Sequence, residues 1–285
     1  MLILENVSFK YGRDELFKNL MINLEKGNIY GLLWKNGAGK TTLLKIMGGL
    51  LFPDSGSCNF NEFNVSKREP GFLENVFFLP EEFFLPPITG KMFVKLRSVF
   101  YPNFDDQLLK EYIDDFDLPM DKKLNALSFG QKKKFLLSFG LATGSELIIM
   151  DEPTNGLDIP SKTILRRILL KSMNLNKTIL ISTHQVKDVE NLIDSVIILE
   201  HGEAVFNKSI VDIGTKLYMG LKKELNGDEI YSQEVMGGFQ VILENKTDDE
   251  SSMDLELLFH GVLRASEQIN SIFHKDGNNE QLFRL

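Results

Sequence analysis

The stretch NIYGLLWKNGAGKTTLLKIM, residues 28–47, constrains the fold of this chain more than any other. An apolar run of strand character leads into a glycine-bearing turn, and the turn opens onto apolar residues at helical spacing. A turn in that place presents successive backbone N–H groups at the positive end of a helix, the arrangement that holds phosphate. Asn36, Gly37, Ala38, Gly39, Lys40, Thr41 and Thr42 follow the pattern G-x-x-x-x-G-K-[ST], with Trp34 where the first glycine belongs. Gly37 and Gly39 permit the tight turn, Lys40 can reach the β- and γ-phosphates, and Thr41 can place its hydroxyl on Mg²⁺. A glycine-only backbone at Trp34 would store about 1–3 kcal/mol of strain. The expectation is a tolerated substitution, the indole covering the loop from outside and packing on apolar neighbours.

The remainder of the chain alternates strands with helices. LILENVSFKY alternates like a strand, RDEL reads as a turn, and LFKNLMINLEKGNIYGLL holds two further strand-like runs. Between about Pro86 and Thr143 the pattern turns helical, in VKLRSVF, DQLLKEYIDDF and QKKKFLLSFGLA. ELIIMDEP and KTILISTH read as strands on either side of the helical SKTILRRILLKSMN, and SVIILEHGEAVF as a hairpin turning at His201–Gly202. This order predicts an α/β fold with a mainly parallel sheet and the central helical block inserted as a lobe. EIYSQEVMGGFQVILEN suggests a second hairpin and DLELLFHGVLRASEQINSIF an amphipathic helix, a small α+β extension over 228–285.

Charge and composition narrow the function classes. Residues 1–227 carry 28 acidic and 28 basic side chains, and residues 228–285 carry 12 and 4, so the whole net charge of −8 lies in the tail. A neutral body with an acidic tail argues against a polyanion-binding surface, and no nucleic acid partner is expected. No apolar run reaches the ~18 residues of a membrane span. MLILENVSFKYG lacks the layout of a signal peptide, and the single cysteine, Cys58, fits a reducing cytoplasm.

ELIIMDEP supplies the second chemical element. Its apolar run ends in Asp151 and Glu152, and a carboxylate at the carboxyl end of a buried parallel strand can hold Mg²⁺ while its neighbour orients a water. NALSFGQKKKFLLSFGLA stands about twenty residues before it, TNGLD directly after, and STH at the end of the next strand. In these motifs and their order, residues 1–220 resemble the ATP-binding cassette ATPases, a P-loop NTPase family whose signature L-S-G-G-Q precedes the strand bearing the acids. Leu127, Ser128, Gly130 and Gln131 match that signature, and Phe129 replaces its first glycine.

The resemblance implies a mainly parallel core sheet, an antiparallel β subdomain and a helical lobe at about 86–143. It implies ATP and Mg²⁺ as ligands. Tyr11 would stack on adenine, and Asn36 to Thr42 would cradle the phosphates. Thr41, Asp151 and Glu81 would face the metal, Glu81 standing where the family usually has glutamine. Glu152, His184 and Lys40 would carry catalysis. Ser128, Gly130 and Gln131 would cap the nucleotide of the opposite subunit, and Asp158 would cross the interface. Simpler roles are open at several of these positions: Tyr11 as a surface aromatic, Ser128 and Asp158 as helix caps, His184 as a solvent-facing strand end. Lys132, Lys133 and Lys134 read as a solvated helix face.

The implied function is the ATPase subunit of a membrane transporter, on the cytoplasmic face of the membrane. It would pair with a second copy or sister chain and a transmembrane permease. FYPNFD and LSFGQKKK lean the likeness towards export systems. The alternatives are a nucleotide sensor with weak or no hydrolysis, and a soluble cassette ATPase of translation or DNA repair. A second cassette or a long coiled-coil insertion would mark the soluble types, and the sequence shows neither pattern.

Overall fold

The computed structural model of the protein describes residues 1–35, 39–174, 176–247 and 251–274. The chain begins as a hairpin of β1 (Leu2–Tyr11) and β2 (Asp14–Leu24), then leaves it through β3 (Ile29–Trp34) and α1 (Lys40–Met47). It returns as β4 (Ser55–Phe60) and β5 (Phe63–Asn64), completing an antiparallel sheet of order β2-β1-β4-β5. The pairing of β1 slips at Asn6, which takes a left-handed φ of 51°. That bulge turns Leu2, Leu4, Val7 and Phe9 all towards the core, although strict alternation would divide them. Gly56 opposite also has positive φ, and a Cβ there would lie 2.2 Å from the Asn6 carbonyl oxygen, so only glycine fits.

The second sheet takes β3 together with β6 (Val76–Leu79), β7 (Leu147–Asp151), β8 (Thr178–Ser182), β9 (Ser195–Glu200) and β10 (Glu203–Ser209). Its order is β10-β9-β3-β8-β7-β6, parallel throughout except for the edge strand β10, which closes a hairpin at His201–Gly202. Every residue of β3, β7 and β8 is buried, as expected of strands covered on both faces. Alternate residues of one strand serve two cores. Tyr30, Leu32 and Trp34 pack with α1 and the antiparallel sheet, while Ile29 and Leu33 pack with the helices opposite.

Between β5 and β6 lie a 3-10 turn (Val65–Lys67) and the short α2 (Pro70–Leu73). Between β6 and β7 lie α3 (Gly90–Arg97), α4 (Asp106–Asp115) and α5 (Phe129–Ala142), which share an aromatic core. Phe139 sits at its centre, edge-on to Phe93 at 5.3 Å and near Tyr101 and Phe104. α6 (Ile159–Ser172) follows β7, and α7 (Val186–Val189) follows β8.

After β10 come α8 (Ile210–Lys216), then β11 (Leu217–Lys222), β12 (Tyr231–Val235), β13 (Gly238–Glu244) and α9 (Leu255–His274). The three strands form a sheet of order β11-β13-β12, so this module begins at Leu217 and reaches back before residue 228. α9 is broken at Ala265, where φ is −139°, although alanine is the best helix former. Beyond the break Ile269, Ile272 and Phe273 are buried, with Phe273 edge-on to Phe206 of β10 at 5.6 Å. Leu255, Leu258 and Val262 join the same continuous core as β3 and β8, so the tail packs as part of the body.

Candidate functional site

Four neighbouring parallel strands, β3, β8, β7 and β6, end at one place. Their carboxyl ends deliver Lys40 through α1, Thr183 and His184 after β8, Asp151 and Glu152 from β7, and Glu81 after β6. Ligands of open α/β sheets bind at such strand ends.

The Lys40 ammonium lies 3.0 Å from Asp151 Oδ1, 3.2 Å from Glu152 Oε1 and 3.8 Å from Glu81 Oε2. The Thr41 hydroxyl donates to Asp151 Oδ2 at 3.1 Å, and Ser182 Oγ donates to Asp151 Oδ1 at 2.6 Å. Asp151 is therefore fixed on both oxygens while wholly buried. Glu152, also buried, has a left-handed φ of 48°. Its Oε2 accepts from Thr183 Oγ1 at 3.2 Å. Its Oε1 accepts from the His184 backbone N–H at 3.1 Å and meets His184 Nδ1 at 2.7 Å. A carboxylate only accepts, so Nδ1 carries the proton and Nε2 is left for another partner.

Three carboxylates around one ammonium leave surplus negative charge where a triphosphate would arrive. The paired oxygens of Thr41 and Asp151 are hard donors of the kind Mg²⁺ takes, and a divalent cation there would offset the surplus. The residues present fit that ion. Among the described residues no cluster of three or more His, Cys, Asp or Glu side chains forms a self-sufficient metal cage.

Trp34 is corrected by the structure. Its backbone is extended strand paired with Leu199, not a positive-φ turn, so the position carries no glycine-only strain. The indole is buried in the core rather than laid over the loop from outside, and the Lys40 ammonium sits 4.2 Å from its ring centroid. Gly39 keeps a φ of 86° and has Leu16 so close that a Cβ would meet it at 2.7 Å. Asn36, Gly37 and Ala38 lie outside the described residues.

The other expected positions divide into two groups. Tyr11 is exposed, edge-on to Phe9, and its hydroxyl shares a hydrogen bond with Thr42 Oγ1 at 3.2 Å, which brings it beside the loop. Glu81 accepts from Asn155 Nδ2 at 3.2 Å, and Asn155 in turn accepts from Gln185. Ser128, Gly130 and Gln131 are not drawn into the Lys40 cluster. They form the tip of α5, where Ser128 and Gln131 make a reciprocal capping box. Asp158 caps α6 through the Ser161 N–H, and hydrogen bonding from the Ser161 side chain and then its backbone holds the carboxyl below its usual pKa.

Several residues escaped the sequence reading. Thr183 and Ser182 orient the two acids, and Asn155 and Gln185 connect Glu81 to the His184 turn. Lys133 is the largest miss: it is 0% exposed, not part of a solvated face, and its ammonium donates to the Glu152 carbonyl oxygen at 2.7 Å. Its spacing from Leu136, Leu137 and Gly140 on α5 was the available signal. A cavity of about 540 Å³ also lies between Lys35, the His184 turn and the start of α9, with Glu256, Phe259 and His260 on its wall.

The family model described as ABC transporter matches residues 17–155. The ABC transporter ATP-binding protein YtrB of Bacillus subtilis (strain 168) is 28% identical over 270 residues, covering 90% of this chain and 91% of YtrB. The linearmycin resistance ATP-binding protein LnrL of the same organism is 30% identical over 246 residues, 83% of this chain and 76% of LnrL. A solved structure described as the ATP binding subunit of an ABC transporter superposes with a TM-score of 0.70 at 24% identity, covering 75% of this chain and 91% of that one.

Proposed function

Because the chain belongs to the ABC transporter family of ATP-binding proteins, we propose that it is the ATP-hydrolysing subunit of a membrane transporter, acting in export. One observation carries the reading. Lys40, Asp151, Glu152 and His184 come from three separate strand ends, yet meet within 2.7–3.2 Å. Structural packing alone does not call for this grouping of a phosphate-binding ammonium, a metal-binding acid, a second acid and an imidazole.

The roles follow from the contacts. Lys40 is held by acids and leaves them for the β- and γ-phosphates when ATP enters. Thr41 and Asp151 would hold Mg²⁺, with Glu81 beside them, and the ion would neutralise phosphate charge and polarise the γ-phosphoryl group. Glu152, oriented by Thr183 and His184, accepts hydrogen-bond donation from the attacking water and directs it at the γ-phosphorus. His184 Nε2 is available to the γ-phosphate. Tyr11 stands at the loop to stack on adenine.

Ser128 is exposed and Gly130 and Gln131 are half-buried at the tip of α5, outside the Lys40 cluster, which supports their acting on the nucleotide of a second subunit, with Asp158 crossing between the chains. ATP then joins two chains, and hydrolysis releases them. The membrane partner is a permease at the inner face of the cell membrane. Among the described residues no helix is long and apolar enough to cross a membrane. On the lobe, Phe84 is 85% exposed beside an aromatic groove of about 320 Å³ that includes Phe83, Phe100 and Tyr101. An apolar surface of this kind suits a docking segment of the permease.

Phosphate release by the purified chain, with Glu152→Gln as control, tests the enzyme. We expect hydrolysis by wild type and loss of at least about a hundredfold in the variant. Equal rates would refute the role of Glu152. Purification from membranes tests the transporter: a polytopic membrane protein should accompany wild type and be lost from Phe84→Asp.

A further inference from the structure

We propose that Lys133 is a positioning residue that ties the tip of α5 to Glu152, and so links the surface that closes on one nucleotide to the acid that acts on another. The inference rests on the roles proposed for Glu152 and for the α5 tip.

The Lys133 ammonium donates to the Glu152 carbonyl oxygen at 2.7 Å, entirely out of solvent. Burying an ammonium is costly, and for packing alone an apolar side chain of similar length would serve. The carbonyl it holds belongs to a residue with a φ of 48°, a backbone conformation that persists in a non-glycine residue only when its surroundings impose it. Burial pulls the lysine pKa down, against the opposing pull of Glu81, Glu152 and Asp151.

The rest of the α5 tip is fitted to the same loop. A Cβ on Gly130 would lie 2.8 Å from the Gly156 carbonyl oxygen, so helix and loop touch backbone to backbone. Phe129 also lies against Gly156, where an added Cβ would meet its ring at 2.7 Å. The Phe129 ring also covers the Lys133 ammonium, 5.3 Å from its centroid, and stacks at 5.4 Å on Phe83, two residues beyond Glu81. Phe129, standing where the family signature has glycine, thus roofs the buried ammonium. A shift of the α5 tip, as when it closes on a nucleotide, must carry the Glu152 backbone with it or break a buried charge-assisted hydrogen bond.

The test compares Lys133→Met, which keeps the length and removes the donor, with Lys133→Arg, which keeps donors, both in the full chain. Lys133→Met is expected to lower kcat for ATP hydrolysis about tenfold with KM for MgATP within about twofold of wild type, and Lys133→Arg to recover most of the loss. Wild-type kcat in Lys133→Met would overturn the proposal. So would parallel loss of kcat and rise of KM in both variants, the mark of a merely structural residue. If Lys133→Met does not fold, Lys133→Gln decides: its amide stops short of the carbonyl, so kcat should fall at least about threefold at unchanged KM, and a wild-type kcat would overturn the proposal. Hydrolysis by wild type and its absence in Glu152→Gln establish the underlying roles separately.

Discussion

Trp34 ends β3 with its indole in the core and its ring face under the Lys40 ammonium, so one side chain supports both the sheet and the lysine proposed to bind phosphate. Replacement by glycine removes the contact at 4.2 Å and opens a large cavity. Trp34→Gly is expected to lower stability by about 3–5 kcal/mol in urea unfolding, in the range of large-to-small core changes. It should not improve ATP affinity. A hundredfold tighter site in the glycine variant would mean that tryptophan strains the loop after all. The convergence of Lys40, Thr41, Asp151, Glu152 and His184 was legible in the sequence, because the motifs place them at neighbouring strand ends. The roles proposed for them are those a phosphate, a metal ion and a water would call for. For Lys133 the helical spacing signalled burial, but its partner was not legible, because the carbonyl it meets belongs to a residue nineteen positions away that only the fold brings near. For Trp34 the packing on apolar neighbours was legible but the burial of the indole in the core was not, because those neighbours are on other strands and on α1.

Elements were legible where one period ruled. β7 and β8 follow from their apolar runs, and α5 from its spacing and Ser128 cap. The bulge in β1 and the break in α9 were not, since both serve tertiary contacts and neither Asn6 nor Ala265 announces them. α9 makes its own prediction. It buries Leu255, Leu257, Leu258, Val262, Ile269, Ile272 and Phe273 against β10, β13 and α7. At about 1.5–3 kcal/mol each, these side chains contribute as much as the whole stability of a typical domain, about 5–15 kcal/mol. A chain truncated after residue 250 should therefore lose its cooperative unfolding transition and its solubility. If thermal unfolding of the truncated chain matched that of wild type, α9 would be an appendage rather than part of the core.

At the scale of the molecule, the proposed site in one chain would be half built. Lys40, the acids and His184 converge at the carboxyl ends of the parallel strands, while Ser128 stands exposed at the tip of α5 on the helical lobe. Two chains facing each other would complete both halves at once. The excess of carboxylates around Lys40 adds that the nucleotide should enter with a divalent cation. Sedimentation of the full-length Glu152→Gln variant tests this account most directly, because it retains the nucleotide between the chains by blocking the step that releases them. With ATP and Mg²⁺ it should sediment as a dimer, and as a monomer with ATP and chelator or after Lys40→Ala is added. A monomer at saturating ATP and Mg²⁺ would contradict the shared-nucleotide mechanism.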